Sequence, residues 1–336
     1  MTTTALTLEE IRLLARDCLL QNGADQHNAD ILAETIWTAE RDGSVSHGLF
    51  RLPAYVAGLR SGKIDGKARP EAARVGASLV RIDGKGGLAP SAHKVGIPLL
   101  VDAARETGVA VGAIHDCFHM AALWPEAEAI AEAGLVGLVC TNYMPLMAPS
   151  GATQAFFGTN PIAFAWPRPG QTPVVFDMAT ASMAMGEVQV AAREGHDVPL
   201  GTGLDKEGNP TTDPAAISDG GVLLPFAGHK GSAIALMIDL LTAGLIGEAF
   251  SDEARDRDNG DGGPPRGGQF LLAIAPDKVA RDDWADHCDK FFERLTGLPG
   301  PGVRLPGERR HKNRLDTGPR RINTALVERI KALMED

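Results

Sequence analysis

Three residues with complementary chemistry lie close together in the segment SVSHGLFRLPAY, at positions 44–55. Ser46 and His47 place a hydroxyl beside an imidazole, and Arg51 adds a guanidinium four residues after the imidazole. A hydroxyl and an imidazole can relay a proton, and a guanidinium can bind a carboxylate through two parallel hydrogen bonds. These groups predict chemistry on a small organic acid. The alternative is that His47 is a structural histidine with satisfied hydrogen bonds.

Two further segments carry groups that suit an anion. In GHKGSAIALM, Lys230 and Ser232 stand at the start of an apolar helix, where free backbone N–H groups attract negative charge. In RLPGERR, Arg304, Arg309 and Arg310 flank a Pro-Gly turn. Each segment also has a plain interpretation, the first as a solvated helix start and the second as ordinary surface charge. Neither segment alone identifies a ligand.

Two motifs imitate known ligand sites. DGKGGLAP at 83–90 contains G-x-G-x-x-A between a predicted strand and a predicted helix, as in a dinucleotide-binding turn. An ordinary Asp-Gly turn is favoured, because no acidic residue ends a second strand about 20 residues later. HDCFH would put His115, Cys117 and His119 on one face if the preceding strand continued through it. We expect no metal there, since three donors in sequence on one strand rarely surround an ion tetrahedrally.

Hydrophobic periodicity predicts the elements that position these residues. A capping box of Thr7 and Glu10 predicts a helix to about Leu20. Further helical patterns occupy 28–41, 90–106, 121–133, 231–247, 280–296 and 321–334. Short apolar runs typical of strands lie at 78–82, 109–114, 135–140, 161–166, 173–178 and 269–275. The segment 252–268, rich in charge, Gly and Pro, is predicted to be a surface loop, and the whole pattern indicates the α/β class.

Composition excludes several classes of protein. The 336 residues, 44% of them hydrophobic, can bury a large core, and no run approaches the roughly 18 apolar residues of a membrane span. A formal charge of -10 argues against nucleic acid or an anionic membrane surface as a partner. The four cysteines lack paired spacing, so no disulfides are expected. The N-terminal segment lacks the pattern of a signal peptide, which makes the cytoplasm the expected location.

Eight collinear motifs resemble the malate/L-lactate dehydrogenase-like family of NAD(P)-dependent oxidoreductases. They are SHGLFRLPAY, HMAALWPEAE, FGTNPIAFAWP, VVFDMAT, GEVQVAAREG, TTDP, LLPFAGHKGSAIALM and RLPGERR. Within that family, ALWPE, VQVAAREG and GHKGSA look most like the Δ1-piperideine-2-carboxylate/Δ1-pyrroline-2-carboxylate reductases. The resemblance implies a family-specific, non-Rossmann α/β fold with a largely antiparallel central sheet, helical N- and C-terminal segments and a homodimer. It predicts a helical substrate and dimer domain from 1–75 with 300–336, and a cofactor domain from 76–299.

The same resemblance implies roles for individual residues. Ser46 would relay a proton, His47 would donate it, and Arg51 and Thr159 would hold the substrate. Where the imino-acid reductases tend to carry His-Gly-Asp, with Asp as a third relay member, this chain has Met185, Gly186 and Glu187. Glu187 is therefore predicted in the relay, with one more methylene, and Met185 and Gly186 are predicted beside the substrate. The residues predicted to line the cofactor are His119, Met120, Ala121, Ala122, Leu123, Asp177, Met178, Ala179, His229, Lys230, Arg304, Gly307 and Arg309.

The predicted activity is NAD(P)H-dependent reduction of a cyclic imino acid, Δ1-pyrroline-2-carboxylate or Δ1-piperideine-2-carboxylate, to L-proline or L-pipecolate. NADPH is favoured because the arginines with Lys230 exceed what a pyrophosphate needs, while Glu308 could instead bond a ribose hydroxyl and favour NADH. One alternative is a 2-hydroxy-acid dehydrogenase of the malate, lactate or ureidoglycolate type, since His47 could equally protonate an alkoxide. Another is a non-catalytic metabolite-binding protein on the same fold.

Overall fold

The computed structural model describes residues 2–335. Its α-helices are α1 (Leu8–Gln21), α2 (Gln26–Arg41), α3 (Leu52–Arg60), α4 (Ala89–Thr107), α5 (Trp124–Glu132), α6 (Met185–Glu194), α7 (Pro214–Ser218), α8 (His229–Asp239), α9 (Ser251–Asp256), α10 (Pro276–Val279), α11 (Trp284–Thr296), α12 (Glu308–Arg314) and α13 (Thr324–Ala332). Two 3-10 turns, Val45–His47 and Leu49–Arg51, precede α3, and a π-helical turn, Leu240–Gly244, extends α8. The strands are β1 (Thr3–Leu6), β2 (Glu71–Gly76), β3 (Leu79–Leu88), β4 (Val109–Phe118), β5 (Val136–Thr141), β6 (Ile162–Trp166), β7 (Val174–Met178), β8 (Gly203–Leu204), β9 (Pro210–Thr211), β10 (Val222–Leu223), β11 (Arg266–Ile274) and β12 (Arg320–Asn323).

A seven-stranded sheet in the order β2-β3-β4-β11-β5-β6-β7 forms the centre of the fold. Within it β3 and β4 run parallel, and the five other neighbouring pairs are antiparallel. The parallel pair needs a long crossover, which α4 supplies. The predicted α/β class with a largely antiparallel central sheet is therefore confirmed.

Both faces of this sheet are covered, as β11 illustrates. Leu271 and Ala273 join the apolar layer formed with α4 and α5, whereas Phe270 and Leu272 pack with Ile238 of α8 on the opposite face. Alternate side chains of a strand point to opposite faces, so a strand covered on both sides is apolar throughout. This explains why the central strands are continuous apolar runs in the sequence.

The N-terminal helices form a second apolar cluster with the C-terminal helix. It contains residues of α1, α2 and α3 together with Val327 and Ile330 of α13. Phe118 and Met120, at the end of β4, also belong to it. The strand pair β1-β12 ties the two ends of the chain together. The end of β4 thereby meets the segment that contains Ser46, His47 and Arg51, while the division into the two predicted domains stays a prediction.

The prediction of a surface loop at 252–268 is wrong at both ends, for 252–256 and for 266–268. Ser251–Asp256 forms α9, and β11 begins at Arg266, which pairs with Phe118 of β4. Only 257–265 has no regular structure. The buried carboxylate of Asp239 accepts hydrogen bonds from the backbone N–H (3.1 Å) and Oγ (2.9 Å) of Ser251, and this long-range anchor starts the helix.

The glycines of the motif at 83–90 lie inside β3, which continues to Leu88, and the last two residues of the motif, Ala89 and Pro90, begin α4. Lys85 and Gly86 have positive φ values of 53° and 69°, so the chain makes a local turn within the strand. A Cβ on Gly84 would meet the Asp116 carbonyl oxygen and Cβ of Cys117. The glycines therefore permit close strand packing, as the preferred Asp-Gly turn interpretation predicts.

Within residues 2–335, no helix combines the length and the apolar character needed to cross a membrane. The four cysteines are free thiols; Cys18, Cys117 and Cys140 are buried, and Cys288 is half-buried.

Candidate active site

The segment around His47 folds as two successive 3-10 turns instead of the start of a helix. The helix α3 begins only at Leu52, and Pro53 lies in its first turn, where a missing N–H costs nothing. His47 and Arg51 are therefore carried by two turns that meet at Gly48. Ser46 Oγ lies 3.0 Å from His47 Nδ1. This contact leaves Nε2 as the ring nitrogen available for proton exchange.

Glu40, at the C-terminal end of α2, packs against these two turns and accepts a hydrogen bond from the second one. The Leu49 backbone N–H donates to Glu40 Oε1 at 2.8 Å, and the side chain of Glu40 is almost fully buried. Its Oε2 accepts no hydrogen bond from the described residues. Gly48 has to be glycine because a Cβ there would overlap the Glu40 carboxyl group. Burial raises the pKa of Glu40 to about 7.

His47 is neutral at physiological pH in this arrangement. Burial, together with the positive charge of Arg51 and the nearby His119, lowers the pKa of His47 to about 3. A carboxylate bound to Arg51 would oppose the contribution of that guanidinium. Without such an anion, His47 is a hydrogen-bond acceptor or a base rather than an acid.

Arg51 is a cation without a carboxylate partner among the described residues. Its Nε is buried and makes no hydrogen bond there, and its guanidinium lies 5.6 Å from the centre of the Phe50 ring. Gly186, at the start of α6, approaches the same guanidinium: a Cβ on it would lie 3.8 Å from Arg51 Nη2. A half-buried guanidinium whose Nε makes no hydrogen bond is costly unless an anion binds it. Arg51 is therefore suited to hold a substrate carboxylate.

Thr159 is fixed by hydrogen bonds that connect three distant segments. The Thr180 backbone N–H and Oγ1 both donate to the Thr159 carbonyl, at 2.8 and 2.9 Å, and the Phe226 N–H donates to the Thr180 carbonyl at 3.0 Å. Asn160, with φ of 32°, donates through Nδ2 to the buried Asp239 carboxylate at 2.9 Å. These contacts bring the predicted substrate residue beside the predicted cofactor segments at 177–179 and 229–230.

The start of α6 reaches the site only in part. Gly186 is buried beside Arg51, and Met185 is half-buried in a neighbouring apolar cluster. Glu187 is exposed and makes no side-chain hydrogen bond or ion pair within residues 2–335. Its role in the relay stays a prediction, since no contact within this chain connects it to His47.

The predicted cofactor segment at 119–123 follows directly after β4. The side chains of Met120, Ala122 and Leu123 are buried in the two main apolar clusters, so mainly the backbone of this segment and Ala121 are open to a ligand. His119 Nε2 lies 3.2 Å from Glu126 Oε1. The backbone N–H of Leu123 is close enough to Asp177 to oppose the rise that burial causes in the pKa of that carboxyl group.

A pocket of about 290 Å³ beside Asp177 is bordered by Arg304, Gly307, Arg309 and Arg310. Gly307 has φ of 95°, and a Cβ on it would meet the backbone of β7 at 3.1 Å. Arg304 and Arg309 are exposed and form no ion pair within the described chain. This pocket fits the anionic part of a dinucleotide, because it offers two free guanidinium groups and a turn without a side chain.

The later part of the basic cluster is used to hold the fold together. Arg310 donates to Asp177 at 3.0 Å, His311 lies 3.1 Å from Glu128, and Arg314 donates to Asp42 at 2.7 Å. Glu308 accepts from the Leu305 backbone N–H at 3.1 Å. These ion pairs dock α12 on α2 and α5. They leave only the beginning of the basic segment open for binding.

The remaining predicted cofactor residues are open to solvent. Met178 and Ala179 follow Asp177 at the end of β7, with Met178 40% exposed. His229 and Lys230 are exposed at the start of α8, after Ala227 and Gly228 with positive φ values. All of these groups are accessible to a ligand that lies over this edge of the sheet.

A larger cavity, of about 420 Å³, lies beside Phe118 between Lys63, Arg257 and Arg266. Its cations are paired, for example Lys63 with Asp258 at 2.8 Å and Arg266 with Asp116 at 3.2 Å. This cavity therefore offers no free charge to a ligand, and we place the site at Arg51 and His47.

The segment HDCFH does not form a single face. Asp116 has φ of 51°, which interrupts the alternation of β4 between His115 and Cys117. His115 lies 4.0 Å from Asp83, and Cys117 Sγ donates to the Gly267 carbonyl at 3.5 Å. Within residues 2–335, no group of three or more His, Cys, Asp or Glu side chains is arranged so that it could hold a metal ion.

Two acidic residues near the site were missed in the sequence. Glu40 follows the buried positions Ala33 and Ile36 at helical spacing, which indicates a carboxyl group on the inner face of α2. Glu126 similarly lies among buried alanines of α5. An acidic residue at an apolar position is the signal that could have identified both.

Comparison with known proteins agrees with this geometry. A sequence model of the malate/L-lactate dehydrogenase family matches residues 6–331. A Δ1-pyrroline-2-carboxylate/Δ1-piperideine-2-carboxylate reductase of Pseudomonas syringae pv. tomato is 46% identical over 312 residues, 93% of this chain and 90% of that protein. A Δ1-pyrroline-2-carboxylate reductase of Ancylobacter novellus is 42% identical over 333 residues, 98% of this chain and 97% of that protein.

A solved structure leads to the same family. The crystal structure of Δ1-piperideine-2-carboxylate reductase from Pseudomonas syringae pv. tomato has a TM-score of 0.92 at 45% identity, covering 98% of this chain and 100% of that one. The relatives are named reductases and the family is one of dehydrogenases, which implies a nicotinamide cofactor and a small-molecule substrate. The chain is an oxidoreductase that belongs to the malate/L-lactate dehydrogenase family.

Proposed function

We propose that this enzyme reduces the cyclic imino acids Δ1-pyrroline-2-carboxylate or Δ1-piperideine-2-carboxylate to L-proline or L-pipecolate. The observation that carries the proposal is the unpaired Arg51 guanidinium beside a neutral His47 whose other nitrogen is engaged by Ser46. Relatives 46% and 42% identical that are named for these substrates support the same choice.

Arg51 binds the carboxylate at C2 of the ring, and this contact orients the C=N bond toward His47. The planar guanidinium suits a bidentate pair with a carboxylate. Thr159 contacts the substrate ring on the side away from His47. The nicotinamide cofactor, when bound, supplies the hydride that C2 accepts.

The neutral state of His47 favours an imine over a ketone as the reacting group. Hydride addition to a protonated C=N bond gives a neutral secondary amine and consumes no further proton. His47 Nε2 needs only to accept a hydrogen bond from the ring N–H. Reduction of a 2-keto acid creates an alkoxide that must take up one proton, which requires a protonated acid at this position. Burial disfavours that protonated form of His47.

The second candidate is a 2-hydroxy-acid dehydrogenase, because the family as a whole is described by malate and lactate. That reaction needs a protonated His47, which a substrate carboxylate at Arg51 favours and burial opposes. A non-catalytic metabolite-binding protein would have no need for the Ser46–His47 contact. A single assay distinguishes these candidates from the imino-acid reductase.

The assay measures oxidation of NADPH and NADH with a panel of cyclic imines and 2-keto acids. We expect kcat/KM for a five- or six-membered cyclic imino acid to exceed that for pyruvate or oxaloacetate. Preferential turnover of the keto acids would replace the imine proposal with the dehydrogenase. Coenzyme binding without turnover of any member would favour the non-catalytic protein.

We propose NADPH as the preferred coenzyme. Arg304 and Arg309 are free to bind a 2′-phosphate, while Glu308 is occupied by the Leu305 backbone N–H instead of facing a ribose. A charge-assisted hydrogen bond contributes about 1.5 to 3 kcal/mol, or about 10- to 100-fold. Arg304→Ala and Arg309→Ala should each lower kcat/KM with NADPH toward that with NADH.

The exposed Arg294→Ala on α11 is the matched control for these variants. It should retain the wild-type preference between the two coenzymes. If Arg304→Ala and Arg309→Ala weaken both coenzymes alike, the 2′-phosphate contact is not in this pocket. The reductase proposal would stand, because it depends on Arg51 and His47.

We propose a homodimer that forms through α8 and its π-helical extension. Leu236, Met237, Leu240 and Leu245 are 48%, 41%, 52% and 66% exposed. Four large apolar side chains on one continuous helical segment are typical of an interface. The cytoplasm remains the predicted location.

A further inference from the structure

A buried cluster of polar side chains lies behind the predicted cofactor segment. Glu126, 5% exposed, has Oε1 3.2 Å from His119 Nε2 and 3.3 Å from His93 Nδ1. His93 Nε2 in turn lies 2.5 Å from the Gln269 side-chain amide. Glu126, His93 and Gln269 lie on α5, α4 and β11, and His119 directly follows β4. None of them except His119 belongs to the predicted site.

The contact with His119 is a hydrogen bond in which an ionised Glu126 Oε1 accepts from His119 Nε2–H. His93 Nδ1 lies within ion-pair distance of the same oxygen, and His93 Nε2 is hydrogen-bonded to Gln269 Oε1. Gln269 Nε2 is buried and makes no hydrogen bond within residues 2–335. With Nε2 engaged by Glu126, His119 Nδ1 is the ring nitrogen available to a ligand.

This arrangement buries a carboxylate that no lysine or arginine within residues 2–335 pairs with. Burial raises the pKa of Glu126, but its interactions with His93 and His119 outweigh burial and lower that pKa overall, while burial lowers the pKa of His93. The Oε2 atom of Glu126 is buried and accepts no hydrogen bond from the described residues. A buried carboxylate without a lysine or arginine partner is expensive for the fold, so a functional reason is needed.

The position of Glu126 relates the charge to the cofactor. Its helix begins at Trp124, whose ring lies 5.1 Å from the guanidinium of Arg310, and Arg310 borders the pocket with Arg304 and Arg309. Asp177, which borders the pocket, and Tyr55, four residues after Arg51, both lie close enough to Glu126 for its charge to raise their pKa values. The charge is therefore near both the dinucleotide pocket and the segment that carries Arg51.

We propose that Glu126 is a positioning residue that orients His119 through its Nε2–H and places a negative charge, unpaired by lysine or arginine, near the nicotinamide. The inference rests on the proposed function, because it requires a nicotinamide coenzyme. The nicotinamide ring is neutral when reduced and positive when oxidised. A fixed anion therefore stabilises the oxidised form and lowers the barrier to loss of the hydride.

The test compares the dissociation constants of the oxidised and reduced forms of the coenzyme that wild-type protein binds more tightly, at pH 8, by calorimetry. Glu126→Gln removes the charge with little change in size. This variant should raise the dissociation constant of the oxidised coenzyme relative to that of the reduced coenzyme, by about 10-fold. Glu126→Asp retains the charge and should keep the wild-type ratio, even where both constants rise. Exposed Glu132→Gln, on the same helix, should change neither constant.

A purely structural role for Glu126 would weaken both forms equally, and an unchanged ratio in folded Glu126→Gln would overturn the inference. If that variant does not fold, Glu126→Ser removes the charge without placing an amide between two histidines and serves the same comparison. Turnover of cyclic imines by the wild type is measured separately. An active wild type with an unchanged ratio contradicts only the role of Glu126. Tight coenzyme binding without imine turnover contradicts only the proposed substrate.

Discussion

One ring nitrogen of His47 is held by Ser46, and the other ring nitrogen is available to the substrate. Its Nδ1 contacts Ser46 Oγ at 3.0 Å, and burial keeps the ring neutral, with a pKa near 3. Arg51 has the opposite character, a permanent charge without a partner. One residue therefore interacts with the ring nitrogen of the substrate, and the other with its carboxylate.

Replacing His47 should affect turnover far more than coenzyme binding. His47→Ala is expected to lower kcat about 10- to 100-fold, the contribution of a hydrogen bond to the charged ring N–H, with little change in the coenzyme dissociation constant. Steady-state kinetics and calorimetry measure the two effects. His196→Ala, at an exposed position, is the control. A kcat near the wild-type value would remove His47 from the mechanism.

Replacing Arg51 should affect capture of the substrate. Arg51→Lys exchanges a planar fork for a point charge, so KM for the imino acid should rise about 10- to 100-fold. Arg193→Lys is a close control, because the Arg193 guanidinium also lies 5.6 Å from the Phe50 ring centre but is exposed. An unchanged KM in Arg51→Lys would mean that the carboxylate binds elsewhere, with Thr159 the next candidate.

At the scale of elements, the end of α2 supports the two turns that carry this chemistry. The Glu40 carboxyl group fills the space that a side chain at Gly48 would need and accepts the Leu49 N–H. Its pKa rises from about 4.5 to about 7 because the ionised form is disfavoured by burial. The folded state is therefore most stable when the Glu40 carboxyl group is protonated.

Glu40 should make stability depend on pH. Below about pH 4.5 the group is protonated in both folded and unfolded chains. Between pH 4.5 and 7 the unfolded chain ionises first, so the folded state loses up to about 3 kcal/mol as pH rises. Glu40→Gln keeps the acceptor for Leu49 and should lack this loss. Its advantage over wild type in the free energy of unfolding should grow from pH 5 to pH 8 in urea titrations.

Glu34→Gln, at an exposed position on the same helix, is the control for that comparison. It should follow the wild-type pH dependence throughout. If the free energies of unfolding of Glu40→Gln and wild type change with pH in parallel, the Glu40 carboxyl group ionises normally in the folded protein.

At the scale of the whole molecule, the exposed apolar row on α8 predicts association. Leu240→Glu, which puts a charge at the centre of this row, should shift the protein from dimer to monomer in sedimentation velocity experiments. Leu315→Glu is the control, since Leu315 is 82% exposed but isolated from that row. A wild-type monomer, or a Leu240→Glu dimer of unchanged stability, would place the interface elsewhere or remove it.

Local sequence determined much of the architecture. The capping box at Thr7 and Glu10 forms as predicted and begins α1 at Leu8. The apolar runs at 109–114, 135–140 and 269–275 are strands of the central sheet, because strands covered on both faces remain apolar along their length. The eight collinear motifs identified the family, which the matches over residues 6–331 confirm. These signals lie within single elements, where neighbouring residues decide the outcome.

Tertiary structure alone decided which distant segments meet. The strand β11 lies between β4 and β5 although it follows both by more than a hundred residues, and its pairing turns 266–268 from a predicted loop into a strand. Arg310 and Arg314 look like part of one anion-binding cluster in sequence, yet they pair with Asp177 and Asp42. Glu126 acquires its charge environment from His93, His119 and the strand that carries Gln269. Burial and pairing of charges depend on the whole packed chain, so no local pattern specifies them.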